Sequence, residues 1–383
     1  MKFKIYTMQP FPYGMAATNR IINYGVGLVN QGVEVECFTI NATENTEQVP
    51  RNLKQGSFKG IKYKYASTNV RSKSFIRKHL RDVYDYYLTC KDLLTSDAKR
   101  NMVFMNSFSK EFGIVLLAKL SGKKIIKELC EYPYYKECLM SKLTLKFLFP
   151  LYDGFVVISE NLLQLAKKFK NKNAKIVKIP ILVDPNRIAD VTPFNHSKPY
   201  IFHGGTLTES KDGIISTLIA FGEAKKELEE DVDFIIAGPP SFDIPKINET
   251  IKKYHLENNV KFLGVLSRDE IVKYQLGASL SILNKNETIQ NIYGFSTKLG
   301  EILLSKTPVI TTTIGEANLW LEDGISAFIT TPHNPIKISN EIIRAFKNKN
   351  LRENIAMNGY KVALQNFDAE YQGKKFHSFL NSI

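Results

Sequence analysis

The sequence predicts an α/β protein made of two parallel-sheet domains. Short apolar, β-branched runs alternate with amphipathic helical stretches along the chain, the pattern of parallel sheets covered by helices. Its 383 residues suffice for two domains of ordinary size, each with its own core. A stretch punctuated by proline and charge, Pro180-Ile-Leu-Val-Asp-Pro185 to His196-Ser-Lys-Pro199, separates two similar rounds of that alternation.

In the first round, strands are expected at 3–8, 34–39, 102–106, 124–129 and 154–159, all short and rich in strand-forming residues. Helices are expected between them at 17–31, 74–94, 110–120 and 161–169, where apolar residues recur at helical spacing. The second round places strands at 200–203, 233–237, 260–263, 280–283, 307–312 and 327–330, with a long helix at 213–229. The expected domains are therefore 1–190 and 191–364, and a final helix at 365–383 packs back on the first. Two such halves joined by one linker leave a cleft faced by strand carboxyl ends and helix starts.

Composition narrows the function classes. No uncharged apolar run approaches the roughly 18 residues a membrane-spanning helix needs. The start, Met1-Lys-Phe-Lys-Ile5, lacks a signal-peptide core and reads as a first strand. Cys37, Cys90, Cys130 and Cys138 show neither metal-ligand spacing nor a close pair, which suits a reducing cytoplasm. The net charge of +14 is uneven: residues 1–190 carry 31 Lys and Arg against 16 Asp and Glu, leaving 21 against 22 for the rest. No zinc-finger or RNP-type pattern accompanies that excess, so nucleic acid is not an expected partner. An anionic membrane surface or a lipid-diphosphate acceptor fits at least as well, which would put a cytoplasmic protein at the membrane periphery; a solvated lysine-rich surface is the plain alternative. Two segments, 71–88 and 141–152, mix cations with apolar and aromatic residues in a way that suits a bilayer surface. Core packing is expected for most of their apolar side chains.

The most informative stretch is Asn291 to Thr313. A Gly-rich turn opens a short helix carrying one acid, Glu301, and a Lys-Thr-Pro stop leads into an uncharged β-branched strand. A helix start is a ready anion site, because its first N–H groups lack partners and the helix dipole is positive there. At about 100° per residue Leu299, Ile302 and Leu303 share one face, and Thr297, Gly300 and Glu301 the other. Anion donors followed one turn later by a carboxylate suit a nucleotide, with phosphates at the helix start and ribose hydroxyls on the acid. After the first strand of the second round comes His203-Gly-Gly-Thr-Leu-Thr-Glu-Ser-Lys-Asp-Gly213. Gly204 and Gly205 let backbone approach a ligand closely, and Lys211 could reach a diphosphate. The loop is neither a Walker loop nor a Gly-x-Gly-x-x-Gly fingerprint, which disfavours an oxidoreductase. Asp231-Val-Asp233 looks like a metal-binding pair, but it opens its strand and so lies at the end away from a ligand. His203, Trp320 and Phe328 read as packed residues. Neither metal nor cofactor is expected.

Taken in order, Ile201-Phe-His-Gly-Gly-Thr-Leu207, Lys211-Asp-Gly213, Phe234-Ile-Ile-Ala-Gly238, Val260-Lys-Phe-Leu-Gly264, Ser296-Thr-Lys-Leu-Gly-Glu301 and Thr307-Pro-Val-Ile310 resemble the retaining, nucleotide-sugar-dependent glycosyltransferases of the GT-B fold, group 1 or family 4 type. The resemblance is strongest over 200–330. It implies two Rossmann-like domains facing a central cleft. It also implies metal-independent transfer of a sugar, with retained anomeric configuration, from a nucleoside diphosphate (UDP first) to a glycan or lipid-linked acceptor, as in bacterial surface polysaccharide synthesis. By position, Lys211 matches the catalytic basic residue on the donor diphosphate. Gly264 and Val265 match the loop that reads the nucleobase. Ser296, Thr297, Lys298 and Leu299 match the phosphate-binding helix start, and Glu301 the ribose acid. Gly14 matches a loop meeting donor phosphate and acceptor, and Glu131 stands near a His-bearing catalytic loop. Thr206 replaces a frequent Arg and Tyr293, followed by Gly294 near the sugar, replaces a usual Glu. A sugar-nucleotide epimerase of the same fold, or a catalytically silent nucleotide-sugar-binding relative, remains the alternative.

Overall fold

Residues Lys2–Thr7 (β1) are buried beyond the first and pair in parallel on both sides, with Glu34–Thr39 (β2) and Arg100–Phe104 (β5). This central strand organises the first of two units in the structure, a computed structural model that describes residues 1–45 and 51–383. The units are Met1–Leu182 with Ala369–Ile383, and Val183–Asp368. Their divisions fall at 182/183 and 368/369, against 190/191 and 364/365 in the sequence reading.

Besides β1, β2 and β5, the first sheet holds β3 (Gln55–Phe58), β4 (Ile61–Tyr65), β6 (Lys124–Leu129), β7 (Gly154–Val157) and β8 (Lys175–Lys178). Their order is β3-β4-β2-β1-β5-β6-β7-β8, and only the β3–β4 pair is antiparallel. The hairpin and β8 are absent from the sequence expectation. Lys59 and Gly60 both take positive φ, 48° and 80°, the tight turn whose twist matches flanking strands. Ile61, Tyr63 and Tyr65 then alternate inward against Lys62 and Lys64.

Beneath the sheet, Phe3, Ile5, Val35 and Met102 pack on Ile21, Ile22 and Leu28 of helix Ala16–Val29 and on Phe376 and Leu380 of helix Ala369–Ser382. The last helix thus belongs to the first unit. Glycines permit this contact: a Cβ on Gly27 would lie 2.6 Å from Ala369 O, and one on Gly373 would lie 2.5 Å from Gly27 Cα. Two further buried knots complete the unit. Glu111 pairs with Lys127 at 2.7 Å and accepts from the Tyr152 hydroxyl at 2.6 Å. Glu128 accepts from Arg20 Nε at 2.7 Å, while the same guanidinium holds the carbonyls of Ile179 and Pro180.

The two cationic, aromatic segments fare differently. In 141–152, Leu145, Leu148, Phe149 and Tyr152 are buried, as expected. In 71–88 the expectation of core packing fails, because Phe75, Ile76, Leu80, Val83, Tyr84 and Tyr87 are exposed.

The second unit's sheet is wholly parallel: β9 (Tyr200–Gly204), β10 (Asp233–Ala237), β11 (Val260–Phe262), β12 (Leu280–Leu283), β13 (Val309–Thr312) and β14 (Phe328–Thr330), in the order β11-β10-β9-β12-β13-β14. Ile201, Phe234, Ile282 and Ile310 bury one face against Leu218 and Phe221 of helix Ile214–Lys225 and Ile338 and Ile342 of helix Pro335–Lys347. With every strand parallel, all carboxyl ends open on one edge, where the loops carrying the motifs gather.

Candidate active site

At that edge β9 ends in Gly204, and the chain runs through Gly205 into a one-turn helix, Glu209–Asp212. Gly213, at φ 59°, redirects it into helix Ile214–Lys225. The redirection buries the Asp212 side chain completely. Its Oδ2 accepts from Lys298 Nζ at 2.8 Å and from the Thr206 amide at 3.0 Å, and its Oδ1 from Lys285 Nζ. Lys285 leaves the end of β12 and Lys298 stands in the first turn of helix Thr297–Leu304, so three chain segments are tied to one carboxylate.

Glycines make the convergence possible. A Cβ on Gly205 would sit 1.9 Å from Lys298 Nζ, and one on Gly238 would lie 1.8 Å from Gly205 O. Both are closer than atoms can approach, so neither position accepts a side chain without moving the cluster.

The electrostatics follow from burial and from the excess of ammoniums. Burial alone would raise the Asp212 carboxyl, but Lys298 and Lys285 more than reverse this and hold it far below the usual carboxylate range. Burial and the neighbouring Lys298 pull Lys285 down to about 8, against the opposing pull of Asp212. Lys211 lies near enough to contribute to that lowering. Lys285 and Lys298 thus pair with Asp212 while Lys211 acts on Lys285, three ammoniums near one carboxylate and a local excess of two positive charges. His203, one layer below, is pulled down to about 4 by burial and by Lys298; its Nδ1 lies 3.3 Å from Ile282 O, and its Nε2 is buried without a partner. It is a packed neutral imidazole rather than a base at neutral pH.

Helix Thr297–Leu304 begins beside this excess. Ser296, its N-cap residue, makes no side-chain capping bond, although Ser159, Ser267 and Thr288 cap their own helices. The Leu299 amide turns back to Ser296 O at 3.0 Å. By contrast, the start of helix Ile214–Lys225 is already filled, since Glu209 takes the amides of Ile215 and Ser216.

The remaining second-unit residues lie as follows. Lys211 is half-buried; its carbonyl accepts from Asn291 Nδ2 at 3.0 Å, and its ammonium has no ion-pair partner among the described residues. Thr206 is half-buried and spends its amide on Asp212. Gly264, at φ 67°, has open space where a side chain would be, its carbonyl accepts from the Gly238 amide at 2.8 Å, and Val265 beside it is exposed. Tyr293 ends helix Ile289–Tyr293 and Gly294 follows it, the Gly294 amide donating to Gln290 O at 2.9 Å. Glu301 stands one turn into its helix, where Oε1 pairs with Arg187 Nη1 at 2.5 Å. A shallow hollow lined by Thr313, Thr330, Lys337 and Glu341 lies by the β14 edge and shares no residue with the cluster.

In the first unit, Gly14 sits in the exposed turn before helix Ala16–Val29, where a Cβ would strike Thr18 Oγ1 at 2.1 Å. Glu131 follows β6 and interacts with Tyr135, whose hydroxyl is pushed up by burial and by that carboxylate. Tyr134 and Tyr135 both take positive φ, 60° and 59°, costly for side chains of that size.

Sequence reasoning passed over Asp212, Lys285 and Arg187. Asn284-Lys285-Asn286, polar residues directly after an apolar strand, was the available signal for the second. Asp231 and Asp233, set aside as a metal pair, are held by Lys198, Lys261, His196 and Asn259.

Residues 185–362 match the family model of glycosyl transferases group 1. No curated protein sequence matches the chain. Among solved structures, sucrose-phosphate synthase from Thermosynechococcus elongatus superposes with a TM-score of 0.77 at 12% identity, covering 100% of both chains. Anabaena HepE in complex with UDP and glucose gives 0.75 at 16%, again over 100% of both. The Rickettsia africae glycosyltransferase gives 0.71 at 17%, over 99% of this chain and 97% of that one. At such identities the likeness establishes the fold. Residues 185–362 thus resemble the glycosyl transferases group 1 family, in a chain with the GT-B fold.

Proposed function

We propose that this protein is a retaining glycosyltransferase that moves a sugar from a nucleoside diphosphate, UDP in the first instance, to a hydroxyl of a glycan or lipid-linked glycan in surface polysaccharide synthesis. The observation that carries the reading is the excess of two positive charges formed by Lys211, Lys285 and Lys298 around Asp212, beside an uncapped helix start. A diphosphate has the complementary charge, and peptide amides plus ammoniums suit its oxygens. Solved relatives in complex with UDP-glucose and with UDP and glucose point to UDP as the donor nucleotide.

In this reading Lys211 and Lys298, with the Thr297 and Lys298 amides at the helix start, take the diphosphate, Glu301 takes the ribose hydroxyls, and the Gly264-Val265 backbone faces the base. The acceptor oxygen attacks the anomeric carbon from the face that the leaving group departs, the carbon–oxygen bond to the diphosphate breaks, and a phosphate oxygen accepts the hydroxyl proton. The charge that develops on the leaving diphosphate is met by ammoniums already in place, the most effective form of electrostatic catalysis. Lysines and helix dipole do the work that a metal does elsewhere, so turnover should be metal-independent. Positioning of the two substrates supplies the other large contribution. Glu131, on its strained loop, is assigned to acceptor or donor sugar, and Gly14 to the loop beside the donor phosphate. The reaction belongs at the cytoplasmic face of the membrane.

A thermal-shift screen against nucleotide sugars, followed by donor hydrolysis without acceptor, tests this. A stabilising UDP-sugar that is slowly hydrolysed supports it. Tyr293 and Thr206 favour a silent relative as the second reading, and stabilisation with no hydrolysis or transfer would select that one. No stabilisation by any nucleotide sugar refutes both.

A further inference from the structure

We infer that helix Phe75–Thr95 docks the protein on an anionic phospholipid surface through an apolar stripe that faces away from its own core. The inference is independent of the donor chemistry. Amphipathic helices of soluble domains turn their apolar face inward; this one is reversed. Ile76, Leu80, Val83, Tyr84, Tyr87 and Leu94 fall within about 100° of one another at about 100° per residue. All six are exposed, Ile76 and Val83 by 70% and Leu80 by 68%. Phe75, at the helix start, is 74% exposed.

The inward face is polar instead. Asp82 accepts from Asn41 at 2.7 Å, and Asp85 is buried against Ser67. Asp92 accepts from Tyr6 OH at 2.9 Å and pairs with Lys4 and Lys64, each at 2.6 Å. Those three are the helix's only acids, and the unit's own side chains hold all of them. Cations flank the stripe: Arg77 and Lys91 fall beside it on the helix and Arg71 precedes the helix, all three exposed, while no exposed residue between 71 and 95 is acidic. An outward surface of aliphatic, tyrosyl and cationic groups without carboxylates complements the headgroup and upper acyl layer of an anionic bilayer. A protein partner would have to offer both a large apolar patch and a matching acidic rim.

The neighbouring helix Phe108–Leu120 repeats the feature on a smaller scale. It packs on this one where Tyr86 OH donates to Lys110 O at 3.1 Å, and it leaves Phe112, Leu116 and Leu120 exposed one turn apart. No described helix is long and apolar enough to cross a membrane, so the stripe lies on a bilayer rather than through it.

Vesicle flotation of the full chain tests the inference at about 0.1 M salt, where screening is moderate. The wild type should float with vesicles containing phosphatidylglycerol and stay behind with pure phosphatidylcholine. The triple variant Ile76→Ser, Leu80→Ser, Tyr84→Ser should lose at least about tenfold in partitioning, because burial of those side chains drives insertion. Arg77→Glu with Lys91→Glu should lose as much. The changed residues are exposed and lie outside the proposed site, so circular dichroism and donor hydrolysis should remain at wild-type level in both variants. Wild-type protein that ignores anionic vesicles, or a triple variant that floats unchanged, overturns the inference. So does a dimer in light scattering that the triple variant abolishes, since a second copy would then cover the stripe.

Discussion

Replacing Asp212 with asparagine preserves shape and removes one charge from the centre of the cluster. Asp212 is fully buried, and of its two lysine partners Lys285 is nearly so. Removing one member of a buried pair costs about 3–5 kcal/mol, chiefly because the surviving charge is left uncompensated. Lys298, at 28% side-chain exposure, can turn to water and adds little, so the cost should fall near the lower end of that range. The penalty also carries a pH signature. Lys285 binds its proton with a value of about 8 in the fold against 10.5 for a free lysine side chain. Between those values the unfolded chain holds more protons, so stability rises with pH. In Asp212→Asn the folded value drops further, and an already neutral Lys285 has less need of a carboxylate. The penalty should therefore shrink as pH rises from about 6 to about 8 and level off above that, where both folded forms hold a neutral Lys285. Urea unfolding of wild type and variant across that range measures it. A cost below about 1 kcal/mol at pH 7, or one that does not change with pH, would show that Asp212 is not the counter-ion that holds the cluster together.

Glu301→Ala should weaken UDP-sugar binding by about 1.5–3 kcal/mol, the scale of a lost charged hydrogen bond, and Arg187→Ala by less; equal losses in calorimetry would move the ribose off Glu301. Donor affinity should fall as pH rises through about 8, where Lys285 loses its proton, and the fall should be absent in Lys285→Met. Gly373→Val should destabilise the first unit by about 1–3 kcal/mol in thermal unfolding, since the helices at Gly27 have no room for a side chain. An unchanged midpoint would mean the last helix is held elsewhere.

Much of the fold was legible because parallel strands announce themselves: Phe234 to Ala237 or Gly154 to Val157 has no use outside a buried sheet. The β3–β4 hairpin was missed: the Ile-Lys-Tyr-Lys-Tyr alternation after Lys59-Gly60 was its signal, but its short, lysine-rich strands lack the uninterrupted apolar run that marks a central strand. In the site, the helix start at 296–299 and the glycines could be named because their backbone chemistry is local. Asp212 and Lys285 could not, since a buried carboxylate and an exposed one look alike in sequence, and the two are 73 residues apart. The helix at Phe75–Thr95 makes the same point in reverse. Apolar periodicity revealed a stripe, but only the partners of Asp82, Asp85 and Asp92 determine which way it faces.

The central claim is that the lysines and helix start of the second unit hold a diphosphate. Titration calorimetry of UDP and of uridine, which shares base and ribose but lacks phosphate, isolates that contribution. The wild type should bind UDP about 10–100-fold more tightly than uridine, and Lys211→Met with Lys298→Met should close most of that gap. Equal affinity for the two ligands in the wild type, or an undiminished gap in the double variant, would contradict it.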